Sequence, residues 1–290
     1  MIAATEATRE LSSLLAPGNA VVLTGAGVST DSGIPDYRDA NGEWKRKRPV
    51  EFRDFVNSER TRRRYWARSL IGWPLLERAR PNHAHRGLYE LEARGLISLV
   101  ITQNVDGLHQ RAGSRNVLDL HGRIDGVVCL GCRRESSRAA LQTELARRNP
   151  EFAARRAAVA PDGDADLEDR DVDDFRLVDC PACGGILKPD VVFFGENVPK
   201  ARVERAYDAV SKARLFLVVG SSLMVFSGYR FARAAVRSAV PVAIVNQGKT
   251  RADAEARLKI EGNAGDVVKG LLDALGSARA LPQTHDERSS

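Results

Sequence analysis

Four short apolar runs, each leading into small or polar residues, constrain the fold of this chain more than any other feature. They are "AVVLTG" at 20–25, "LISLVIT" at 96–102, "RLFLVVG" at 214–220 and "VPVAIVN" at 240–246. Each has the length of a strand but not the polar alternation of a half-exposed one, so each reads as a parallel strand covered on both faces. Between them, segments 83–94, 199–213, 228–239 and 265–275 repeat apolar residues at three- and four-residue intervals, the spacing of one helix face. Strands alternating with helices specify an α/β fold, a Rossmann-like doubly wound parallel sheet. Such a sheet binds its ligand at the carboxyl ends of the strands. The polar residues cluster there: Gly25 to Thr30, Gln103-Asn104-Val105-Asp106, Gly220-Ser221-Ser222 and Asn246-Gln247-Gly248.

Two segments break the alternation. Residues 41–77 are basic and aromatic, with "WKRKR" and "RTRRRYWARSLIGWP", and read as a helical insertion. Residues 126–186 hold all four cysteines and an acidic, alanine-rich stretch. The expected organisation is a Rossmann-like domain built from 1–40, 78–125 and 187–290, and a smaller discontinuous domain built from 41–77 and 126–186. The tail "LPQTHDERSS" is expected to fray.

No apolar stretch approaches the roughly 18 residues of a membrane span. The start, "MIAATEATRELSSLL", lacks the basic and apolar regions of a secretory signal. A cytoplasmic protein without membrane partners is the expectation, and its cysteines then read as metal ligands rather than disulfides. "CLGC" supplies Cys129 and Cys132, and "CPAC" supplies Cys180 and Cys183. Two such knuckles, each offering two sulfurs from a tight turn, imply one tetrahedral zinc site. Four sulfurs leave no open position, so the metal is structural. Lys and Arg number 44 against 38 Asp and Glu, an excess that suits an anionic ligand such as a nucleotide. The acidic loop between the knuckles argues against a nucleic-acid partner.

"GAGVSTDSGIPDYR", residues 25–38, opens like a dinucleotide loop, with Gly25 and Gly27. The third glycine of G-x-G-x-x-G is replaced by Thr30, and a polar, proline-containing segment follows instead of a helix. Among the histidines, His109 is placed near the start of a helix after Asp106, and His83 and His85 read as caps or surface residues. His121, beside Gly122 and close to a strand-end polar cluster, is the strongest candidate for chemistry.

"GAGVSTDSGIPDYR", "TQNVDGLH", "LHG", the paired knuckles, "KPDVVFFGE", "GSSL" and "VN", in this order, resemble the sirtuins, NAD-dependent protein lysine deacylases. The resemblance runs from about residue 10 to about residue 275. It is closest to class II, the branch containing the mitochondrial sirtuin associated with lipoamidase and ADP-ribosyltransferase activities. "RRRYWARSLIGWP", "NPEF", "APDGD" and "GSSLMVFSGYRF" carry that finer placement.

The resemblance implies NAD as cofactor, with Gly25, Ala26 and Gly27 presenting backbone N–H groups to its pyrophosphate. Thr30 and a mobile cofactor loop with Ile34, Pro35, Asp36 and Arg38 would hold nicotinamide, ribose and phosphate. Gln103, Asn104 and Asp106 would orient the nicotinamide ribose and carboxamide. Gly220, Ser221, Ser222, Asn246, Gln247, Gly248 and Ala264 would receive the adenosine half. The acyl oxygen of an acylated protein lysine would displace nicotinamide, and His121, with its ordinary midpoint of about 6.5, would act as general base. Free lysine and an O-acyl-ADP-ribose would result. Val192, Phe193, Phe194, Gly195 and Glu196 would bind the substrate peptide as an added strand.

The desuccinylating branch grips a carboxylate with Tyr-x-x-Arg, and the segment after the cofactor loop, "DANGEWKRKRPVEF" at 39–52, lacks it. The class II resemblance implies longer or branched acyl groups, with the loop around residues 148–176 entering the acyl channel. Mono-ADP-ribosylation of protein on the same site is the nearest alternative, since it begins with the same loss of nicotinamide. A non-catalytic nucleotide sensor is the third.

Overall fold

The four apolar runs become the four inner strands of one parallel sheet. The computed structural model describes residues 6–45, 49–154 and 172–278. The basic run at 46–48, the "APDGD" stretch with most of its acidic surroundings, and the C-terminal tail lie outside the described residues. In chain order the elements are α1 (Glu6–Leu15), β1 (Ala20–Thr24), α2 (Phe52–Asn57), α3 (Glu59–Arg78), α4 (His83–Ala93), β2 (Ile97–Thr102), α5 (Leu108–Ala112), β3 (Val117–Asp119), β4 (Gly122–Cys129), β5 (Glu135–Ser137), α6 (Arg138–Arg148), α7 (Pro150–Ala153), β6 (Leu187–Val191), α8 (Lys200–Lys212), β7 (Leu215–Val219), α9 (Phe226–Arg237), β8 (Val242–Asn246), β9 (Leu258–Glu261) and α10 (Ala264–Ala278).

The main sheet runs β3-β2-β1-β7-β8-β9, with every pair parallel. Alternation along β1 explains its uninterrupted apolar character. Val21 and Leu23 pack towards α8 and α9, against Val210 and Phe231. Ala20 and Val22 pack on the opposite face towards α1, α4 and α10, against Leu11, Leu88 and Leu271. Burying a side chain of this size contributes about 1.5–3 kcal/mol, so both faces must be covered and both are. Strand order reverses between β1 and β7, which opens a crevice beyond their carboxyl ends.

The strands β3 and β9 were not anticipated. They are the sheet edges, only three and four residues long, and carry Asp119, Lys259 and Glu261. His85 takes the cap role rather than the surface one: its ring accepts from the Asn82 N–H in the capping box of α4 and is fully buried. Only His83 of that pair is exposed.

The remaining chain builds a second layer. Strands β5-β4-β6 form a small antiparallel sheet. Within the 41–77 segment the helices are α2 and α3, from Phe52 onward, with Ser58 capping α3 by accepting from the Thr61 N–H at 3.1 Å. Its aromatic residues face inwards: Tyr65, Trp66 and Trp73 share one apolar core with Leu141, Leu145, Phe152 and Phe175 from the cysteine-bearing segment.

At the centre of that layer is Arg138, completely buried at the start of α6. Its guanidinium lies 5.4 Å and 5.1 Å from the Trp66 and Trp73 rings and donates to the Ser69 carbonyl and hydroxyl, each at 3.1 Å. Burial pushes its pKa down to about 10. Packing and charge oppose each other here, and two substitutions separate them. Arg138→Ala opens a cavity between the indoles and is expected to cost about 3 kcal/mol. Arg138→Met refills the space without a buried charge and is expected to stay within about 1 kcal/mol of the parent. Urea unfolding checks both; equal losses would show that the charge, not the volume, joins the two segments.

Candidate active site

The crevice between β1 and β7 widens into a cavity of about 310 Å³. Its floor depends on missing side chains. The Gly27 N–H donates to the Gly220 carbonyl at 2.9 Å. A Cβ on Gly25 would lie 2.8 Å from the Ser221 hydroxyl, and one on Gly27 would lie 3.0 Å from the Gly220 oxygen. Gly220 itself has φ of 61°, a left-handed conformation that favours glycine. After Gly25 the chain makes two separate 3₁₀ turns, Ala26–Val28 and Thr30–Ser32, instead of a crossover helix.

Past the end of β2, the polar residues join one network through Ser29. Asn104 Nδ2 donates to the Gly25 carbonyl and to Ser29 Oγ, both at 3.0 Å. Ser29 Oγ donates in turn to Asp106 Oδ2 at 2.7 Å, and the Leu108 N–H donates to Asp106 Oδ1 at 2.8 Å. Burial raises the Asp106 pKa, opposed by those two hydrogen bonds and by Arg111 and Arg123.

The Gln103 side chain accepts from Ser221 Oγ at 2.7 Å, and its backbone carbonyl faces His121 Nδ1 at 3.0 Å. A carbonyl only accepts, so the imidazole carries its proton on Nδ1 and its lone pair on Nε2. Ser227 Oγ lies 2.8 Å from Nε2. Burial pushes the His121 pKa down to about 4; the Gln103 bond opposes this, while Arg202 and Arg230 reinforce it. The expected midpoint of about 6.5 is therefore not kept, and the ring at neutral pH is the neutral base form. His109 lies outside the cavity lining, with Nε2 2.9 Å from Thr24 Oγ1 and its ring 4.9 Å from that of His85.

Most of the anticipated site residues meet in this cavity. Gly25, Ala26, Gly27, Ile34, Asp36 and Arg38 line it, as do Gln103, Asn104, Asp106 and His121. So do Val192 to Glu196, Gly220 to Ser222, Asn246 and Gln247. Four are not in the lining. Thr30 turns its hydroxyl onto the Gly27 carbonyl at 3.1 Å. Pro35 sits between two lining residues. Gly248 lies against the Ala40 backbone, where a Cβ would come within 2.4 Å of the Ala40 oxygen. Ala264 opens α10 inside the core. Ser29 and Ser227 are among the polar lining residues that the sequence reading passed over, with Asp39 and Tyr65; both serines lie in motifs it quoted, but a serine carries no distinctive signal.

The segment Val192–Glu196 is a turn rather than a continuing strand. The Glu196 N–H donates to the Phe193 carbonyl at 3.0 Å, and Gly195 has φ of 76°. Val192 donates to the His121 carbonyl at 2.8 Å, which ties this turn to the histidine. The Phe193 ring stands 5.1 Å from Phe55 and 5.2 Å from Tyr65, and makes an aromatic wall. Residues 39–52 lack Tyr-x-x-Arg, but α3 carries that spacing as Tyr65 and Arg68, and Tyr65 lines the cavity. Of the stretch expected near the acyl channel, Phe152 and Phe175 lie in the second-layer core, and 155–171 are outside the described residues.

The cysteines converge as anticipated. All four sulfurs lie within 4.8 Å of one another, with Cys129–Cys183 at 3.5 Å and Cys132–Cys180 at 3.7 Å. Ligands about 2.3 Å from a tetrahedral ion stand about 3.8 Å apart, so the set fits one structural zinc.

Residues 25–227 match the Sir2 family. The chain belongs to that family. It is 55% identical over 272 residues to an "NAD-dependent protein deacetylase" of Xanthomonas campestris pv. campestris (strain 8004), covering 93% of this chain and 92% of the relative. It is 58% identical over 240 residues to "NAD-dependent protein deacetylase 2" of Bradyrhizobium diazoefficiens, covering 83% and 88%. Among solved Sir2 structures, one described under "Structural Basis for the Mechanism and Regulation of Sir2 Enzymes" aligns with a TM-score of 0.74 and 32% identity, over 94% of this chain and 99% of that one. Another, "Sir2-p53 peptide-NAD+", aligns at 0.71 and 31% identity, over 92% and 98%.

Two measurements follow from the site. The purified chain is expected to hold one zinc per molecule by elemental analysis. Cys180→Ser is expected to lose the metal and to unfold at a lower temperature. The second concerns acid. His121, His109 and His85 have pKa values lowered by burial to about 4, about 4 and about 2. Each therefore binds its proton only on unfolding, so stability is full above the ordinary midpoint and is lost as pH falls from about 6.5. The loss is about 1.4 kcal/mol per pH unit for each ring, partly offset by Asp106 and Asp119, whose raised pKa values act in the opposite direction. Urea midpoints that stay flat between pH 6.5 and 4.5 would contradict these burial effects.

Proposed function

We propose that the chain is an NAD-dependent protein lysine deacetylase acting in the cytoplasm, where reduced cysteines are available to zinc. The observation that carries this reading is the meeting, in one cavity of a Sir2 family member, of the glycine floor, the Asn104-Ser29-Asp106 network and His121. We propose the domain division drawn from the sequence with it: 1–40, 78–125 and 187–290 hold the nucleotide, and 41–77 with 126–186 form the smaller zinc-binding domain.

The residues present fit NAD. The cradle at Gly25 and Gly27, which a Cβ would fill, leaves backbone free to approach a pyrophosphate, and the Ile34–Arg38 segment borders it. NAD, when bound, would supply an electrophilic ribose carbon and a nicotinamide leaving group. Asn104 is held by two acceptors in the orientation needed to meet a carboxamide or ribose. Asp106, held by Ser29 and the Leu108 N–H, would supply negative charge to favour cationic character at the ribose. His121 accepts a ribose hydroxyl proton at Nε2, the nitrogen left free of its proton by the Gln103 carbonyl. Phe193, Phe194 and Tyr65 enclose the acylated lysine of a protein substrate and exclude water.

Scope beyond acetyl is part of the proposal. A Sir2 structure bound to a propionylated peptide is among the similar ones, at 31% identity. Tyr65 lines the cavity and Arg68 does not, so the class II motifs, rather than this pair, point towards longer acyl groups.

The test is a mass-spectrometric assay with NAD and one peptide carrying acetyl, butyryl, hydroxymethylglutaryl, succinyl or lipoyl lysine in turn. Free lysine with O-acyl-ADP-ribose is expected, reduced at least about 100-fold in His121→Ala. Transfer of adenine-labelled NAD onto protein without acyl-lysine present would instead support mono-ADP-ribosylation. Nucleotide binding with no turnover of any peptide would support a sensor.

A further inference from the structure

The deacetylase reading makes His121 the base but does not say what holds its reactive nitrogen. A neutral imidazole has one donating and one accepting nitrogen, and its partners decide which is which. Gln103 O fixes the proton on Nδ1. The partner of Nε2 is the Ser227 hydroxyl, at 2.8 Å, and Ser227 and His121 both line the cavity.

This contact depends on how α9 meets β2. Ser227 is the second residue of α9, and its neighbour Gly228 faces the Gln103 side chain. A Cβ on Gly228 would lie 2.6 Å from Gln103 Nε2 and 2.8 Å from its Cδ. Gln103 has little freedom to retreat, because Ser221 holds its side-chain oxygen at 2.7 Å. The glycine thus lets the helix start come close enough for Ser227 to reach the imidazole. Val225 is the N-cap, so Ser227 has no capping hydrogen bond to make.

We infer that Ser227 is a positioning residue for His121: its hydroxyl holds the ring at Nε2 in the free protein, yields that lone pair to the ribose hydroxyl whose proton Nε2 takes, and then accepts the new N–H. The inference rests on the deacetylase reading. A hydroxyl suits both states: it donates to the neutral ring, then rotates about its Cβ–Oγ bond to accept from the imidazolium. The charged groups acting on the ring are Arg202 from α8 and Arg230 from α9, and both oppose a second proton. The positive end of the α9 helix opposes it too. The Ser227 oxygen is then the group placed to stabilise the imidazolium Nε2–H, a charge-assisted bond stronger than the one to the neutral ring. Its removal therefore penalises the protonated form more than the neutral one.

The test uses the free protein with ¹⁵N-labelled histidine, His121 being assigned by comparison with His121→Ala. In Ser227→Ala the Nε2 resonance is expected to move towards that of an unbonded nitrogen, and the ring's titration midpoint to fall. In turnover with an acetyl-lysine peptide, kcat is expected to fall about 10-fold or more, with KM for NAD within about 2-fold. The acid limb of the kcat–pH profile is expected to shift to lower pH. Ser227→Thr keeps the hydroxyl and is expected to restore both readouts. An unchanged His121 spectrum in Ser227→Ala would overturn the inference, as would a changed spectrum with unchanged kcat across the pH range. A parent protein that turns over no acyl-lysine peptide counts against the deacetylase reading; the spectrum alone then decides whether Ser227 controls the ring.

Discussion

The cavity exists because the end of β1 can touch the end of β7 with nothing between them but backbone. Gly27 donates to Gly220 at 2.9 Å, and a Cβ at either position would meet the opposite chain. A doubly wound sheet always opens a crevice where its strand order reverses. What this chain adds is a floor without side chains, so that a ligand's polar backbone-like groups can come to within hydrogen-bond reach of the protein's own. The same closeness leaves no room for the crossover helix to start directly after Gly25. The polar segment Thr30–Arg38 that follows is a consequence of that geometry as much as a recognition element.

Over this floor, the polar groups are satisfied by one another before any ligand arrives. Ser29 both accepts from Asn104 and donates to Asp106, and Ser221 occupies Gln103. In a buried site such bonds are strong, and unpaired groups are costly. Such a network holds the Asn104, Asp106 and Gln103 side chains in fixed directions. The charges follow from the same burial. His121 is driven neutral while Asp106 resists ionisation, so the enclosed site favours low charge until something cationic develops beside the carboxylate.

The central sheet was legible because its strands are buried on both faces, and burial on both faces leaves an apolar run with no other ready explanation. β3 and β9 were hidden for the converse reason: an edge strand with Asp119 or Lys259 looks like a loop. The zinc cluster was legible because thiolate spacing reports a chemical need directly. The capping role of His85 was legible but its burial was not, because a helix start next to Pro81 suggests solvent, while Asn82 also donates to the Val28 carbonyl and ties that start to the loop after β1. Tyr65 was missed for a geometric reason. The cofactor loop and α3 are separated in sequence, yet the aromatic packing of Tyr65 on Phe193 brings the helix to the cavity wall.

That packing also shows why a structural metal matters to a site it does not enter. The ladder between β4 and β6 has two ends. At one, Cys129 pairs with Leu187, and the adjacent Leu130 N–H donates to Ile186, directly after the second cysteine knuckle. At the other, Gly122 pairs with Val191, and the next residue, Val192, donates to the carbonyl of His121. Gly122 has φ of 81°, and a Cβ there would come within 2.1 Å of the Asp190 oxygen, so this end is as tightly specified as the metal end. A bend in the ladder lies between them, where the register shifts between Gly122 and Val127. A zinc ion gripping both knuckles therefore fixes the separation of the two strands at one end, and the histidine and the Val192–Glu196 turn inherit their relative position at the other. Any effect of the metal on the site would be mechanical, passed along the eight residues of β4.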